Sequence, residues 1–405
     1  MTGRATYEHN KIPYDRAERL KWLEIPFPIE EYQTRWAALQ RLMRTYGFDV
    51  LAVYQAGEWT NIKYLVGFDN FWGAGVLLVP RDGEPVLVTN AIFHGEPMHS
   101  SFHTTFIQDV RPVLHPHSTA TPENIGNVAG GVLHEWGMTT GTLGIVGAGI
   151  IPRVIEQALA SRVPAMTLKP ADHLLNTMRR IKSPREQAAF RRAAGITDLG
   201  YAAAARAIRP GVTEWEIMAA SIQAMQAAGG ERPGGGCQSG ARTSLKNIGP
   251  SGRVVQENDL IFIDQGCALA GYRTDTARNF VAGTPSNEVR HMLETVLEQN
   301  ERMREQIRAG ARIADLQRAM EAIAGQAGLL AYDYTRHCFG HGGGLTYLEE
   351  PHFHWGTEEV LEPGMTFYLE PMIIRHGVGT ACIEDVVLVT EGGCESLTTY
   401  PRRTW

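Results

Sequence analysis

The second half of the chain contains an internal repeat, which constrains the fold more than any other feature of the sequence. IRPG at residues 208–211 recurs as IRAG at residues 307–310, and a helical pattern follows in both copies. Each copy then has two apolar strands that carry an acid. These acids are Asp264 and Asp275 in the first copy, and Glu370 and Glu384 in the second. One helix-plus-hairpin module therefore occurs twice, and we expect a pseudo-two-fold relation between the copies.

Four carboxylates brought together by such a repeat require a counter-charge. Burying one carboxylate at the end of an apolar strand is costly unless it is paired or bound to metal, and four of them repel one another. The FGHGGG run adds His341, whose glycine neighbours let the backbone approach an ion closely. Carboxylates with one imidazole suit Mn, Fe, Co or Zn. The sequence thus predicts two divalent metal ions, with the ligands Asp264, Asp275, His341, Glu370 and Glu384.

Two glycine-rich motifs in this half are also typical of other chemistry. HGGG at residues 341–344 matches the oxyanion motif of lipases and esterases, but that fold needs a G-x-S-x-G elbow, which the chain lacks. The glycines at residues 234–236 resemble a phosphate loop, but no G-K-[ST] follows them. A purely structural role for His341 stays open.

The chain of 405 residues is long enough for two domains. Its first half alternates helix and strand patterns, with helical spacing over residues 29–46 and a hairpin turn at residues 81–83. Ser183 and Glu186 then form a capping box that begins a new helix. We expect an α/β domain over residues 1–180 and an α+β catalytic domain over residues 181–405.

Composition and charge exclude several classes of function. A net charge of −6 and a pI near 6.2 give no electrostatic basis for binding nucleic acid. No apolar stretch approaches the roughly 20 residues that cross a bilayer, and the N-terminus lacks the apolar core of a signal peptide. Five scattered cysteines without a CxxC pair favour a reducing compartment. We therefore expect a cytoplasmic protein without nucleic acid or membrane partners.

Taken together, these motifs resemble those of the pita-bread family, which contains aminopeptidases, prolidases and creatinases. The resemblance rests on the acids Asp264 and Asp275, on FGHGGG, on EPGMTFYLEPMI and on CIEDVVLVTEGG, and it extends over the whole chain. It implies a creatinase-like α/β N-terminal domain, a pita-bread catalytic domain and metal binding at all five ligand positions. It also implies that Glu370 carries protons beside its ligand role, and that the protein is a homodimer.

Two positions depart from the peptidases of that family. The peptidases carry a histidine after an SG-x-N stretch, and this chain has Asn247 at that position. They carry a second histidine after the metal-binding histidine, and this chain has Leu348 there. In the family these histidines contact the substrate carbonyl and assist proton transfer. His352 or His354 could take over this role. We expect Leu348 to form an apolar wall for a compact substrate, with Tyr347 beside it in the binding site.

Several other residues are candidates for substrate binding. Arg242 and Arg375 could clamp a substrate carboxylate through bidentate hydrogen bonds, although structural roles are the alternative. Trp59, Phe71 and Trp72 form an aromatic cluster in the first domain, a region that reaches the partner's active site in dimeric relatives. Core packing is the alternative for this cluster.

The expected function is a two-metal hydrolase that cleaves a C–N bond in a small dipeptide-like (Xaa-Pro) or amide substrate. One alternative is a metal-dependent lyase of the dimethylsulfoniopropionate lyase type, which keeps the metals on the same fold without the peptidase histidines. Another is a non-catalytic binding protein, against which the five intact ligand positions argue.

Overall fold

The computed structural model describes residue 21 and residues 23–57, 60–68, 74–90, 105–113, 123–246, 248–354 and 357–405. The chain divides into two compact units, Met1–Met178 and Arg179–Trp405. Among the described residues, none of the helices combines the length and the apolar character needed to cross a membrane.

The first unit alternates helices and strands, as its sequence pattern predicts. Its elements are α1 (Ile29–Tyr46), β1 (Val50–Ala56), α2 (Asn61–Val66), β2 (Ala74–Pro80), β3 (Val86–Asn90), β4 (Val110–Val113), α3 (Glu123–Glu135), β5 (Thr140–Val146), α4 (Arg153–Arg162), β6 (Ala165–Pro170) and α5 (Asp172–Arg180). The strands form one sheet in the order β4-β3-β2-β1-β5-β6. The pairs β1–β2 and β2–β3 are antiparallel, and the other three pairs are parallel.

Local sequence accounts for the start of this unit. Helix α1 buries Leu39 and Met43, which are four residues apart and therefore lie on one face of the helix. The helix ends at Gly47, whose φ of 74° is a left-handed conformation that glycine adopts without steric cost. The predicted turn at residues 81–83 joins β2 to β3 as an antiparallel hairpin. One hydrophobic cluster fills the space between the sheet and helices α3 and α4.

In its described residues, the second unit combines four long helices with antiparallel strands. Its elements are α6 (Pro184–Ala207), α7 (Glu214–Ala227), β7 (Glu231–Ser239), β8 (Leu260–Leu269), β9 (Tyr272–Arg273), β10 (Thr276–Val281), α8 (Asn287–Gln306), α9 (Ile313–Gln326), β11 (Cys338–Gly342), β12 (Glu349–His354), β13 (Thr366–Leu369), β14 (Met372–Arg375), β15 (Gly379–Cys382), β16 (Asp385–Val389) and β17 (Cys394–Ser396). Strands β10-β8-β7 form one sheet, with β9 beside β8, and β12-β11-β13-β16-β17 form another; β14 pairs with β15.

The helices of this unit begin at the predicted caps. Ser183 accepts a hydrogen bond from the backbone of Glu186, whose side chain accepts one from the backbone of Ser183 in return. Thr213 and Glu216 form the same reciprocal pair at the start of α7. Each capping box satisfies two backbone N–H groups that would otherwise lack partners, so the sequence fixes where both helices start.

The two copies of the predicted repeat have the same local structure. Helices α6 and α8 are followed by Ile208 and Ile307, which have the same ψ of 117°. Gly211 and Gly310 then both adopt left-handed backbone conformations, with φ of 94° and 79°. The helices that follow, α7 and α9, are 14 residues long each. This confirms the repeat and places β8 of the first copy in correspondence with β13 of the second.

A backbone bridge joins the strands of the two copies. Ala277 in β10 exchanges backbone hydrogen bonds with Glu384, the residue directly before β16. Ala277 is also paired with Asp264 in β8 on its other side. Asp264 and Glu384 therefore flank one small alanine, and the carboxylates of the two copies can meet above it.

Candidate metal centre

The five predicted ligand residues lie in strands of the second unit or directly beside them. Their ligand atoms form two groups of three, and Glu384 is common to both groups. The groups are Asp275, His341 and Glu384, and Asp264, Glu370 and Glu384. Within each group, the ligand atoms lie within 4.8 Å of one another. The structure thus brings all five residues together as two triads that share one carboxylate.

An apolar cluster explains why these acids converge at one place. Its buried members are Phe262, Ala277, Met372 and Cys382. Each of them is two residues from one of the acids, and in a strand residues two apart point to the same face. The packing of this cluster therefore holds together the strand segments that carry the four acids.

Burial and mutual repulsion disfavour the charged form of Asp264, Asp275 and Glu384. Burial raises the pKa of Asp264 to about 6, and it raises the pKa of Asp275 and of Glu384 well above the ordinary values. Neighbouring carboxylates add to this increase, because each negative charge opposes the ionisation of the next. A cation placed between the carboxylates removes this penalty, so the donor set suits a divalent ion.

His341 is held in the neutral form that can bind a metal ion. Burial lowers the pKa of this imidazole. Its ring packs edge-on against the ring of Tyr368, with 5.0 Å between the centroids. A Cβ at Gly343 would lie 2.1 Å from the same tyrosine ring. The glycines of FGHGGG thus make room for neighbouring protein groups, and close approach of the backbone to an ion remains a prediction.

The acids open onto a cavity of about 470 Å³. Besides the five predicted ligands, its lining includes Gly234, Gly236, Gln238, Lys246, Tyr347 and Leu348. The glycines that resemble a phosphate loop are therefore part of strand β7 at the cavity wall. Leu348 is 64% exposed, so its side chain is free to contact a molecule in the cavity.

Lys246 lines the cavity, although none of the sequence motifs indicates a role for it. It follows the short 3₁₀ turn Gly240–Leu245, and its ammonium contacts the carboxylate of Glu370. Burial lowers its pKa, but the carboxylates of Glu370, Asp264 and Glu384 outweigh that effect and raise it above the ordinary value. The two partners are 124 residues apart in the chain, so no local pattern could have revealed the contact.

Neither of the two candidate arginines lines the cavity. Arg242 donates hydrogen bonds to the carboxylate of Glu214 at 2.6 Å and to the carbonyl of Gly249 at 2.9 Å. Arg375 pairs with Glu288 and lies over the ring of Tyr332, at 5.1 Å from its centroid. These contacts give both arginines structural roles, and the structure does not support the prediction that they clamp a substrate carboxylate.

The remaining candidates have different outcomes. His352 lies opposite His341 in the pairing of β11 with β12, but its side chain is exposed and is not part of the cavity lining. His354 pairs with Cys338 through the backbone, and its side chain lies outside the described part of the structure. The other candidates that lie outside the described residues are Asn247, Trp59, Phe71 and Trp72.

A buried ion pair between Arg278 and Asp385 contacts the backbone of Glu384. Arg278 is fully buried and donates hydrogen bonds to the carbonyl of Glu384 at 2.7 Å and to the carboxylate of Asp385 at 2.6 Å. Arg278, followed by Arg402, holds the pKa of Asp385 at about 2, well below its usual range despite burial. The pair fixes the backbone at Glu384, so the shared carboxylate is placed by a rigid support.

Known proteins resemble the chain in both units. The family model described as metallopeptidase family M24 matches residues 188–391, and that of the creatinase/prolidase N-terminal domain matches residues 35–181. An Xaa-Pro dipeptidase from Pyrococcus furiosus is 31% identical over 272 residues, which are 67% of this chain and 77% of the relative. A creatinase from a Bacillus species is 26% identical over 420 residues, 97% of this chain and 96% of the relative.

Solved structures share the fold. An Xaa-Pro dipeptidase from Bacillus anthracis superposes with a TM-score of 0.80 at 24% identity, covering 92% of this chain and 99% of that one. The segment that matches the M24 model contains all five predicted ligands. The chain therefore belongs to metallopeptidase family M24, and its first half belongs to the creatinase/prolidase N-terminal domains.

Proposed function

We propose that this protein is a metal-dependent hydrolase that cleaves the C–N bond of a small dipeptide-like substrate of the Xaa-Pro type. The observation that carries the proposal is the pair of ligand triads sharing Glu384 at the wall of one cavity. Relatives that are named Xaa-Pro dipeptidases support the substrate class.

The proposed ligands are the five residues of the two triads. They would bind two divalent ions, and Mn, Fe, Co and Zn are the metals that suit these ligands. Such ions, when bound, would supply a Lewis acid for the substrate carbonyl and an activated water. The protein's own residues would orient the substrate. Leu348 and Tyr347 would form one part of the cavity wall, and the glycines of β7 would form another part that has no side chains.

Glu370 is the proposed proton carrier. It directly follows β13, lines the cavity and is partly exposed, whereas Glu384 is buried. Its carboxylate is therefore placed to take a proton from water and to pass it to the leaving amine. His352 is not assigned a catalytic role, because its side chain does not line the cavity.

The lyase alternative has no support in the relatives described above, which are dipeptidases and a creatinase. The two intact triads argue against the non-catalytic alternative. We further propose a catalytic domain over residues 181–405, a homodimer and a cytoplasmic location, as the resemblance to prolidases and the cysteine pattern suggest.

The function is tested by assaying the purified protein, loaded with Mn, Co or Zn, against a panel of substrates. The panel contains Xaa-Pro dipeptides, dipeptides without proline, creatine and dimethylsulfoniopropionate. We expect hydrolysis of dipeptides, abolished by exhaustive chelation and restored by added metal. Release of dimethyl sulfide without dipeptide hydrolysis would establish the lyase instead, and activity that survives chelation would refute the metal site.

A further inference from the structure

The wall of the cavity carries a positive charge that the metal ligands do not explain. Lys246 is the only lysine or arginine among the cavity-lining residues that the structure describes. Its side chain is 14% exposed, and its ammonium is paired with Glu370. We propose that Lys246 recognises a carboxylate of the substrate, an inference that rests on the proposed function and names the residue that sets its substrate class.

Charge balance supports this role. Two divalent ions would neutralise the four carboxylates of the site, so the ammonium of Lys246 would be left as an uncompensated charge on the cavity wall. An anionic group on the bound molecule would restore neutrality. Glu370 would also be engaged by metal, which releases Lys246 from the carboxylate that it contacts in the structure.

The arginines that could have filled this role are committed elsewhere. Arg242 is held by Glu214 and Gly249, and Arg375 is held by Glu288. Neither of them lines the cavity. A dipeptide carries a free carboxylate at its C-terminus, and Lys246 is the cavity residue with the charge to bind it.

The backbone around Lys246 is anchored on both sides. The buried carboxylate of Glu214 accepts hydrogen bonds from the backbone of Ser239 at 2.8 Å and of Ser251 at 2.9 Å. Gln238 donates from its side chain to the carbonyl of Ile248. Thr380 of β15 bonds to the backbone carbonyl of Thr243 at 2.8 Å. These contacts fix the main chain, while the four-carbon stem of the lysine can turn from Glu370 to a ligand.

The neighbouring acceptor Gln238 fits a ligand with a hydrogen-bond donor. Its side chain is 1% exposed and lines the cavity, and its Oε1 atom has no hydrogen-bond partner among the described residues. A buried acceptor without a partner is costly unless a ligand or water satisfies it. The ligand that fits both residues therefore combines a carboxylate with an N–H donor, as amino acids and dipeptides do.

Equilibrium binding tests this role without requiring turnover. Titration calorimetry on the metal-loaded protein would compare L-proline with L-prolinamide, which lacks the carboxylate. We expect the wild type to bind proline more tightly. Lys246→Met should weaken proline binding by about 10- to 100-fold, the effect of one charged hydrogen bond, and leave prolinamide binding nearly unchanged. Lys246→Arg should restore most of the difference, and Lys169→Met, at an exposed lysine of β6, should behave as wild type.

The outcomes separate this inference from the proposed function. A protein that hydrolyses no dipeptide but loses its preference for proline in Lys246→Met would refute the function and keep the carboxylate site. A dipeptidase in which Lys246→Met weakens both probes equally, or neither, would overturn the role of Lys246. The same conclusion would follow if the wild type did not discriminate between the two probes.

Discussion

The hydroxyl of Tyr368 donates a hydrogen bond to the backbone carbonyl of Arg273 at 2.7 Å, and both residues are buried. Tyr368 lies two residues before Glu370, and Arg273 lies two residues before Asp275. The bond therefore ties a strand of the second copy of the repeat to a strand end of the first, close to a ligand on each side.

Replacing Tyr368 tests whether its hydrogen bond to Arg273 contributes to stability and to metal binding. Tyr368→Phe leaves a buried carbonyl without its partner, so we expect the free energy of unfolding to fall by about 1–3 kcal/mol. Metal affinity should fall as well, because Glu370 and Asp275 lose a shared constraint. Urea unfolding and metal titration would measure the two effects. Unchanged stability would show that water replaces the hydroxyl at no cost.

The shared carboxylate gives a second prediction. Glu384→Gln removes a ligand from both triads, so metal content should fall from about two ions per chain toward none, and turnover should be lost. In the metal-free state at pH 8 the variant should be no less stable than the wild type, because burial raises the pKa of Glu384 and opposes its charge.

Elemental analysis and thermal unfolding would check this prediction. Glu391→Gln, at an exposed position in the same half of the chain, is the matched control and should keep both metal content and activity. A Glu384→Gln protein that retained two ions would remove this residue from the ligand set.

Metal binding should depend on pH in a defined direction. Asp264 has a pKa raised to about 6, and Asp275 and Glu384 are raised well above their ordinary values. These groups hold protons in the metal-free protein near and below that pH, and an ion must displace them. Affinity should therefore fall by up to about tenfold per pH unit, as the pH is lowered, for each proton that the ion displaces.

Calorimetry in buffers of different ionisation enthalpy would measure the protons released on binding. We expect net release at pH 6. Binding without proton release at that pH would mean that the carboxylates are already ionised in the metal-free protein.

Replacing Leu348 by histidine tests whether the missing peptidase histidine limits the activity. The leucine is exposed at the cavity wall, so Leu348→His should fold normally and add a hydrogen-bond donor where the family's peptidases have one. One preorganised donor is worth about 10²–10³ in rate when it is well placed. We expect a rise of about tenfold or more in kcat/KM for Xaa-Pro dipeptides.

The control is Leu199→His, at an exposed leucine of α6 that is not part of the cavity lining. If the wild type already cleaves these dipeptides at roughly 10 per second, a typical enzyme rate, another group fills the role of the missing histidine.

Local and repeated patterns in the sequence predicted much of this structure. The caps at Ser183 and Thr213 depend on residues three positions apart, and the structure has them. The acids were found because the repeat places each at the same point of a corresponding strand. A capping box depends only on residues close together in the chain, and a repeat is visible because the same pattern occurs twice. Both can therefore be found in a single sequence.

Residues whose roles depend on distant partners could not be found in this way. Lys246 acquires its role from Glu370, and Arg242 loses its expected role to Glu214. The long side chains of lysine and arginine reach many positions, so their sequence neighbours do not determine which acid they meet. Tertiary packing makes that choice.

Because Glu384 belongs to both ligand triads, the metal site cannot be complete until this residue has been synthesised. A ribosome delivers the chain from its N-terminus, so Asp264 and Asp275 emerge long before Glu384 has been made. Neither triad is complete until the last strands of the second unit have folded. Insertion of metal at the proposed centre therefore has to follow the synthesis of Glu384, and a product truncated before this residue would have no complete ligand set.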